Sequence, residues 1–515
     1  MNPHFERYDR DLRADFVPPK STFARIERIE PGGASGLRTV SFDAISKDWI
    51  TDEQQKGNRF FDLYNLQTLD RAWSDYGKHV FSQAGAPTTN NVTHPLQFAP
   101  LSRIEVPLTR WARWDMFGHP MMWPRRVADI ENLWYVLDIH QQEKNHTYPA
   151  LLYYNAFTPP VAVYLSVKRL NPNSKTAVAL SKISNLDDLP RIDTATFETE
   201  LSKIDDAQYL AVYDVGQGNA NALLNSSSPA LSSSPAMYFD VGCGVYGNMA
   251  TTPKPLAFCF ARDPLIVLSH WDSDHWMGVC LPGMPNQVTG IGLKWIAPCQ
   301  TITIHHKTFI LDVYAKGGSV LIYAPPLNTI GTATLRSPDT RIRFTRGSRA
   351  GRNHSGIVLA VEKFIDKDWH SWLLTGDCDY SYSAHLAIKS AVATVVPHHG
   401  AKPATSAPAP LAKFVNPENG YVRAVYSFGP GNSHSGIRHP TSDAVNRHIT
   451  ANWDEGGTWV GSPPGDIVPQ AVTLATCQHQ SPYMRGGCIV GWTAAPQVPV
   501  TGCGRCGCNT VLTKA

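Results

Sequence analysis

From about Ala207 the chain is built of short apolar runs, most of which end abruptly in Gly, Asp or His. Tyr209–Tyr213 leads into Asp214-Val-Gly-Gln-Gly218, Ala236–Phe239 into Asp240-Val-Gly242, and Leu265–Leu268 into a loop of His and Asp. Further along, Ile357–Val361 is followed by Trp372–Leu374, which leads into Thr375-Gly-Asp377. Thr394–Val396 leads into Pro397-His-His-Gly400, and Val422–Ser427 into a Gly/Asn/His loop. Continuous apolar runs of this length read as strands covered on both faces. Tyr380–Val392 and Thr441–His448 read as helices that supply the cover. The pattern predicts two sheets flanked by helices, with polar residues gathered at one set of strand ends.

Upstream the periodicity is weaker. Ala150–Asn155 and Val161–Lys168 are rich in β-branched and aromatic residues and read as paired strands. Asp187-Asp-Leu-Pro-Arg191 reads as a connection. The expected organisation is an N-terminal α+β domain over 1–205, a second domain over 206–465 and a Cys-rich tail over 466–515. The Ser/Pro-rich piece 225–235 has the composition of a flexible loop and is read as an expanded hairpin connection.

Composition adds bounds. The 515 residues suffice for several domains with full cores, and a charged fraction of 17% is that of a globular chain. A net charge of +3 favours no polyanionic partner, so any such case rests on local clusters. No apolar run is long enough for a bilayer, and Met1–Phe16 lacks a signal-peptide core, so the expectation is a cytoplasmic protein without a membrane partner. Five of the ten cysteines are scattered among apolar segments; Cys477, Cys488, Cys503, Cys506 and Cys508 crowd the last forty residues. Cys503-Gly-Arg-Cys506, with Cys477 and Cys488, offers one structural zinc site, the alternative being reduced thiols in a loose tail.

The chemistry concentrates in Leu268-Ser-His-Trp-Asp-Ser-Asp-His275, where His270, Asp272, Asp274 and His275 follow directly on an apolar run. Imidazole with carboxylate suits zinc, manganese or iron. One short loop cannot complete a two-metal site, so the missing ligands are expected at neighbouring strand ends, where Asp377, His398, His399 and His439 stand. His-x-Asp-x-Asp-His resembles the signature of the metallo-β-lactamase fold, in the variant found in the nuclease-like domain of ComEC-type competence proteins. Asp214–Ala220, Asn353–Leu359, Leu374–Asp377, Val396–Gly400 and Tyr426–Pro440 follow that family's order of motifs. The similarity covers about residues 207–450 and leaves out the N-terminal region, the tail and the competence proteins' membrane channel.

The resemblance implies an α/β fold, the αββα sandwich, holding two divalent cations (zinc or manganese). His270, Asp272, Asp274, His275, Asp377 and His398 would be the ligands, with Asp377 bridging. Asp240 and Asn353 would stand behind them, and Asp272, His399 and His439 would serve the chemistry: metal-activated hydroxide attack on a phosphodiester, with His399 or His439 protonating the leaving oxygen. Asn219 and Ala401 depart from the family's Asp and Ser, and His354 is a possible additional ligand. Arg336, Arg341, Arg343, Arg346, Arg349 and Arg352 fall within a short stretch opposed only by Asp339, and Lys402 adjoins the His pair. Arg343, Arg346, Arg349, Arg352 and Lys402 are therefore expected to contact nucleic acid or another phosphodiester substrate, the alternative being an exposed basic hairpin. Leu108–Trp114 and Met121–Arg126 interleave aromatic and basic residues, which suits base stacking or simply a core with arginine stems across it. The reading is a nuclease-like phosphodiesterase. Two alternatives stand beside it: a small-molecule hydrolase acting on a cyclic nucleotide, phosphocholine ester or lactone, and a non-catalytic sensing module.

Overall fold

The structure is a computed structural model that describes residues 1–7, 17–30, 38–81, 93–108, 130, 132–225, 234–281, 289–415, 421–433, 437–453, 473–477, 485–497, 508 and 510–514. The chain divides into two units. One comprises residues 1–190, 301–319 and 434–437; the other comprises 191–300, 320–433 and 438–515.

The first unit contains a closed antiparallel barrel of β1 (Ser21–Glu30), β2 (Arg38–Ser46), β3 (Leu101–Leu108), β4 (Trp134–His140), β5 (Tyr148–Tyr153) and β6 (Val161–Arg169), in the order β1-β2-β3-β5-β6-β4. Alternate residues of β2 (Val40, Phe42 and Ala44) point inward to meet Ile26, Ile104, Tyr135, Leu152 and Leu165. The intervening Asp43 is also buried; its Oδ2 accepts from Thr303 Oγ1 at 2.5 Å, and His305 Nδ1 lies 3.1 Å from its other oxygen. Both partners belong to the helix Ile304–Ala315 and its cap, a helix buried nearly all round. Its Lys307 is fully buried, 2.5 Å from Asp188 and 4.9 Å from the ring centre of Trp73.

In the second unit the strands are β7 (Arg191–Ile192), β8 (Tyr209–Val212), β9 (Ala220–Leu224), β10 (Pro235–Val241), β11 (Leu265–Val267), β12 (Lys294–Pro298), β13 (Ser319–Tyr323), β14 (Gly331–Thr334), β15 (Thr340–Arg346), β16 (Ile357–Ile365), β17 (Asp368–Leu374), β18 (Ser390–Ala391), β19 (Ala393–Val395), β20 (Leu411–Ala412), β21 (Arg423–Tyr426), β22 (Thr473–Ala475), β23 (Gly487–Val490) and β24 (Leu512–Lys514). They form a nine-stranded sheet, β24-β23-β8-β9-β10-β11-β12-β13-β7, a seven-stranded sheet, β14-β15-β16-β17-β19-β21-β22, and a small β18-β20 pair. One core joins the two large sheets: Leu210, Leu223, Phe239, Val267 and Ile296 meet Phe344, Leu359, Trp372, Leu374 and Val425. Trp372 stacks on Trp492 with ring centres 3.7 Å apart. The pairs β10–β11, β11–β12, β17–β19 and β19–β21 are parallel, so the carboxyl ends of these strands fall on one edge of each sheet.

This architecture corrects the expected αββα sandwich. Among the described residues 25% are helical and 32% lie in strands, a helix-poor, β-rich fold with a closed barrel and mixed sheets. The expected helix over Tyr380–Val392 is instead two single 3₁₀ turns, Tyr380–Tyr382 and Ala384–Leu386, followed by β18. Leu386, Ala409 and Trp453 cover the outer face of the seven-stranded sheet from turns and loops rather than from a helical layer. The helix expected at Thr441–His448 does form, as Ser442–Ile449. The expected N-terminal α+β domain contains the barrel, in which β5 and β6 pair as expected. It also recruits residues 301–319, far along the chain. The tail is no separate element in its described part, since β23 pairs with β8. Residues 226–233 and Cys503 and Cys506 lie outside the described residues, as do most of Leu108–Trp114 and all of Met121–Arg126.

Burial pulls the imidazoles of His94 and His305 in the first unit down to about 3. Both are therefore neutral in the fold, whereas the unfolded chain takes up their protons below about pH 6.5. Their contribution is complete above that pH and is lost as pH falls toward 3. Denaturation midpoints measured from pH 7 to 4 are expected to fall, and His94→Asn, which keeps a capping acceptor for Leu96 N, should flatten that slope. An unchanged slope would contradict the assignment.

Candidate metal centre

The parallel strand ends supply the site. His270, Asp272, Asp274 and His275 follow β11, Asp377 follows β17, and His398 and His399 follow β19. The left-handed backbone of Gly376 (φ +55°) turns the chain immediately before Asp377, where an added Cβ would stand 2.4 Å from Ser269 Oγ. Gly242 lets Asp274 approach, because a Cβ there would fall 1.7 Å from the Asp274 carbonyl oxygen. Three non-glycine residues, Asp240 (φ 65°), His398 (φ 50°) and His399 (φ 55°), also take the left-handed conformation. Strain of this kind, about 1–3 kcal/mol each, persists where surrounding contacts over-determine it.

Asp377 is the centre of the cluster. Its Oδ1 lies 3.0 Å from His275 Nε2 and 3.8 Å from His399 Nε2, and its Oδ2 lies 3.3 Å from His398 Nε2 and 3.6 Å from His270 Nε2. Asp272 Oδ2 is 3.5 Å from His270 Nε2, and Asp274 Oδ2 is 3.3 Å from His399 Nε2. Two overlapping groups result, His270/His275/Asp377 and Asp274/His275/His399, each with its donor atoms within 4.8 Å of one another. Bonds of about 2.0–2.2 Å at tetrahedral angles place the ligand atoms of one zinc about 3.3–3.5 Å apart, and the donor pairs here span 3.0–3.8 Å around that value. His270 Nε2, His275 Nε2, His399 Nε2 and Asp377 Oδ1 are buried and make no hydrogen bond. Buried polar atoms are ordinarily satisfied. A divalent cation would satisfy these, so the donor set fits such an ion.

The other face of each imidazole is occupied. His275 Nδ1 donates to Asp240 Oδ2 at 2.7 Å, and His399 Nδ1 donates to the Ser427 carbonyl at 2.9 Å. His270 Nδ1 lies 3.0 Å from Ser269 Oγ, which itself donates to Asp240 Oδ2 at 2.7 Å. With Nδ1 donating outward, all three rings turn Nε2 into the cluster. Burial works to lower the pKa of His275, but the carboxylates of Asp377 and Asp240 outweigh it and hold it well above the usual imidazole range. Burial likewise works to raise Asp377, but His398, His275 and His270 hold it well below the carboxylate range. Asp377 and Asp240 thus favour positive charge at His275, and the imidazoles in turn favour the ionised form of Asp377.

All six expected ligands come together. His399, expected to serve the chemistry, lies instead among the candidate ligands beside Asp274, because the left-handed pair 398–399 turns both rings inward. His439 lies behind His398, with ring centres 5.7 Å apart, and its backbone N–H donates to Asn432 Oδ1. Asn353 Nδ2 reaches Asp377 Oδ2 at 3.5 Å. Asn219 does not break the site: its amide donates to Asp240 Oδ2 at 3.2 Å, where a second carboxylate would repel. His354 packs against Tyr382 and lies outside both groups. Ser269 was missed by sequence reasoning, although its place directly before His270 was a usable signal.

The basic stretch is largely engaged elsewhere. Glu362, opposite Arg341 in the β15–β16 register, pairs with Arg341 at 2.6 Å and Arg343 at 3.3 Å. Arg336 pairs with Asp205, Arg346 reaches the Pro325 carbonyl, and Arg349 bonds the Tyr382 hydroxyl. Lys402 is exposed and pairs with Asp443. Of the five expected substrate contacts Arg352 alone meets a candidate ligand, with Nε 3.4 Å from Asp272 Oδ1. In the tail, Cys477 and Cys488 are buried, and burial pushes the Cys488 thiol up to about 12. Among the described residues no helix is long and apolar enough to cross a membrane. Compared with family models, curated proteins and solved structures, the chain gives no match.

Calorimetric titration of chelator-treated protein with Zn²⁺ or Mn²⁺ is expected to give about two cations per chain. Asp240→Ala should weaken uptake about 10–100-fold by releasing His275. Absence of uptake by the wild type would rule out the centre.

Proposed function

We propose that the chain is a metal-dependent hydrolase of phosphodiesters. The observation that carries this reading is the buried Asp377 carboxylate, whose Oδ1 faces His275 and His399 and whose Oδ2 faces His270 and His398, with the buried Nε2 atoms of His270, His275 and His399 making no hydrogen bond. His270, Asp272, Asp377 and His398 would hold one cation, and Asp274, His275, His399 and Asp377 the other. The cations, when bound, supply a hydroxide near neutral pH and electrostatic stabilisation of a non-bridging oxygen.

The residues of the chain do the rest. Asp240 and Ser269 fix the imidazoles. Arg352 supports binding of an anionic substrate at the rim, as a planar donor fork suited to phosphate. His398 is the most exposed of the candidate ligands, with 25% of its side chain accessible, which marks the open side of the cluster. His439, with its ring centre 5.7 Å from that of His398, would give a proton to a leaving oxygen. Because Arg341 and Arg343 share Glu362 and Arg352 is the one expected contact that meets a candidate ligand, a small or terminal phosphodiester is favoured over a long polyanion bound along its backbone.

Metal-loaded protein should cleave bis-p-nitrophenyl phosphate, with chelator or Asp274→Ala reducing the rate at least about 100-fold. Cyclic nucleotides, single-stranded and duplex DNA, and RNA, assayed in parallel, separate substrate sizes. A small substrate should show a shallow salt dependence of KM, near one contact, whereas a steep dependence on polymer would restore the nuclease reading. No cleavage of any of them above the Asp274→Ala level defeats the proposal.

A further inference from the structure

Two loops that meet at the cluster come from different parts of the second unit: His270–His275 after β11, and Arg352–Ser355 between β15 and β16. The second bears both Arg352, which meets Asp272, and Asn353, which meets Asp377. Its far end is fixed by backbone, since Ile357 N donates to the Ser269 carbonyl at 2.7 Å and Gly356 packs where a Cβ would fall 2.3 Å from that same oxygen. The part that carries Arg352 and Asn353 is laced by a side chain from a third segment, Gln300, just after β12. Gln300 Oε1 accepts from Trp271 N at 3.3 Å, while Gln300 Nε2 donates to the Arg352 carbonyl at 2.7 Å and to Ser355 Oγ at 2.9 Å.

We infer that Gln300 is a positioning residue of this centre, one that sets the register between the metal-binding loop and the turn presenting Arg352 to an anionic substrate. The amide is suited to the task because one group both accepts and donates, and two of its three bonds go to main chain. Its hydrogen bonds go to Trp271 N, the Arg352 carbonyl and Ser355 Oγ rather than to a candidate ligand's side chain, so its effect passes through the turn that carries Arg352 and Asn353. A glutamate there keeps the acceptor for Trp271 N and loses both donations; a leucine loses all three.

The inference rests on the metal-centre reading, and the test keeps the two apart. In chelator-treated full-length protein, hydrogen exchange read by mass spectrometry should quicken over residues 350–356 in Gln300→Leu and Gln300→Glu, and stay unchanged in the first unit. In protein loaded with Zn²⁺ or Mn²⁺, affinity for inorganic phosphate should fall about tenfold in Gln300→Leu and in Arg352→Gln, as expected for loss of one charge-assisted contact. The double variant should fall no further than either alone, because both remove the same interaction. If Gln300→Leu does not fold, Gln300→Glu takes its place in the cycle. Unchanged exchange at 350–356, additive losses in the double variant, or a loaded wild type that binds no phosphate each overturns the role of Gln300. A wild type that takes up no cation overturns the metal-centre reading and this inference with it.

Discussion

Asp240 is fully buried, and four donors converge on its carboxylate: Ser269 N–H at 2.6 Å, the Ser269 hydroxyl at 2.7 Å, His275 Nδ1 at 2.7 Å and the Asn219 amide at 3.2 Å. Burying a carboxylate costs several kcal/mol unless its lone pairs are met, and here they are. The same four bonds tie β10 to the start of the His270–His275 loop and to the turn before β9. Every imidazole orientation in the loop descends from this anchor. Its own backbone sits in the left-handed region, a conformation that the converging contacts maintain.

The glycines around it follow from the same demand for closeness. Asp274 reaches the cluster because its carbonyl lies against Gly242, and Asp377 because Gly376 turns directly beneath Ser269. The result is a set of carboxylates and imidazoles held in place before any ligand arrives. Pre-organisation of this kind lowers the reorganisation that binding a cation must otherwise bring about. It also explains why departures such as Asn219 are tolerated: the position needs a donor toward Asp240, and an amide is one.

Much of the second unit was legible in the chain because strand ends announce themselves. β8, β10, β11, β16, β17, β19 and β21 all fall on apolar runs read from sequence, and the candidate ligands follow those runs directly. What failed was the inference of helical layers. Tyr380–Val392 is apolar enough to cover a sheet, but it does so as turns, and periodicity over a dozen residues does not separate the two. The barrel was illegible for a different reason: its closure depends on pairings such as β1 with β4, more than a hundred residues apart, that leave no local signal. Charge neutralisation was hidden in the same way, since Glu362 becomes the partner of Arg341 and Arg343 only through the β15–β16 register. The roles of His399 and Gln300 depended on backbone torsion and loop proximity, which no residue pattern encodes.

β23 joins the nine-stranded sheet beside β8, although the two are separated by most of the second unit's sequence. Arg485, just before β23, grips Asp214 through two bonds of 2.8 Å and reaches the Thr251 carbonyl. During synthesis, then, the turn after β8 emerges long before the segment that braces it. Chains fold from the amino-terminal side as they are made. The barrel unit also waits, though less long, for residues 301–319. Completion of the sheet that carries Asp240 is therefore deferred until the segment around residue 485 has been made, and a nascent chain stalled before it would hold the His270–His275 loop without its finished frame.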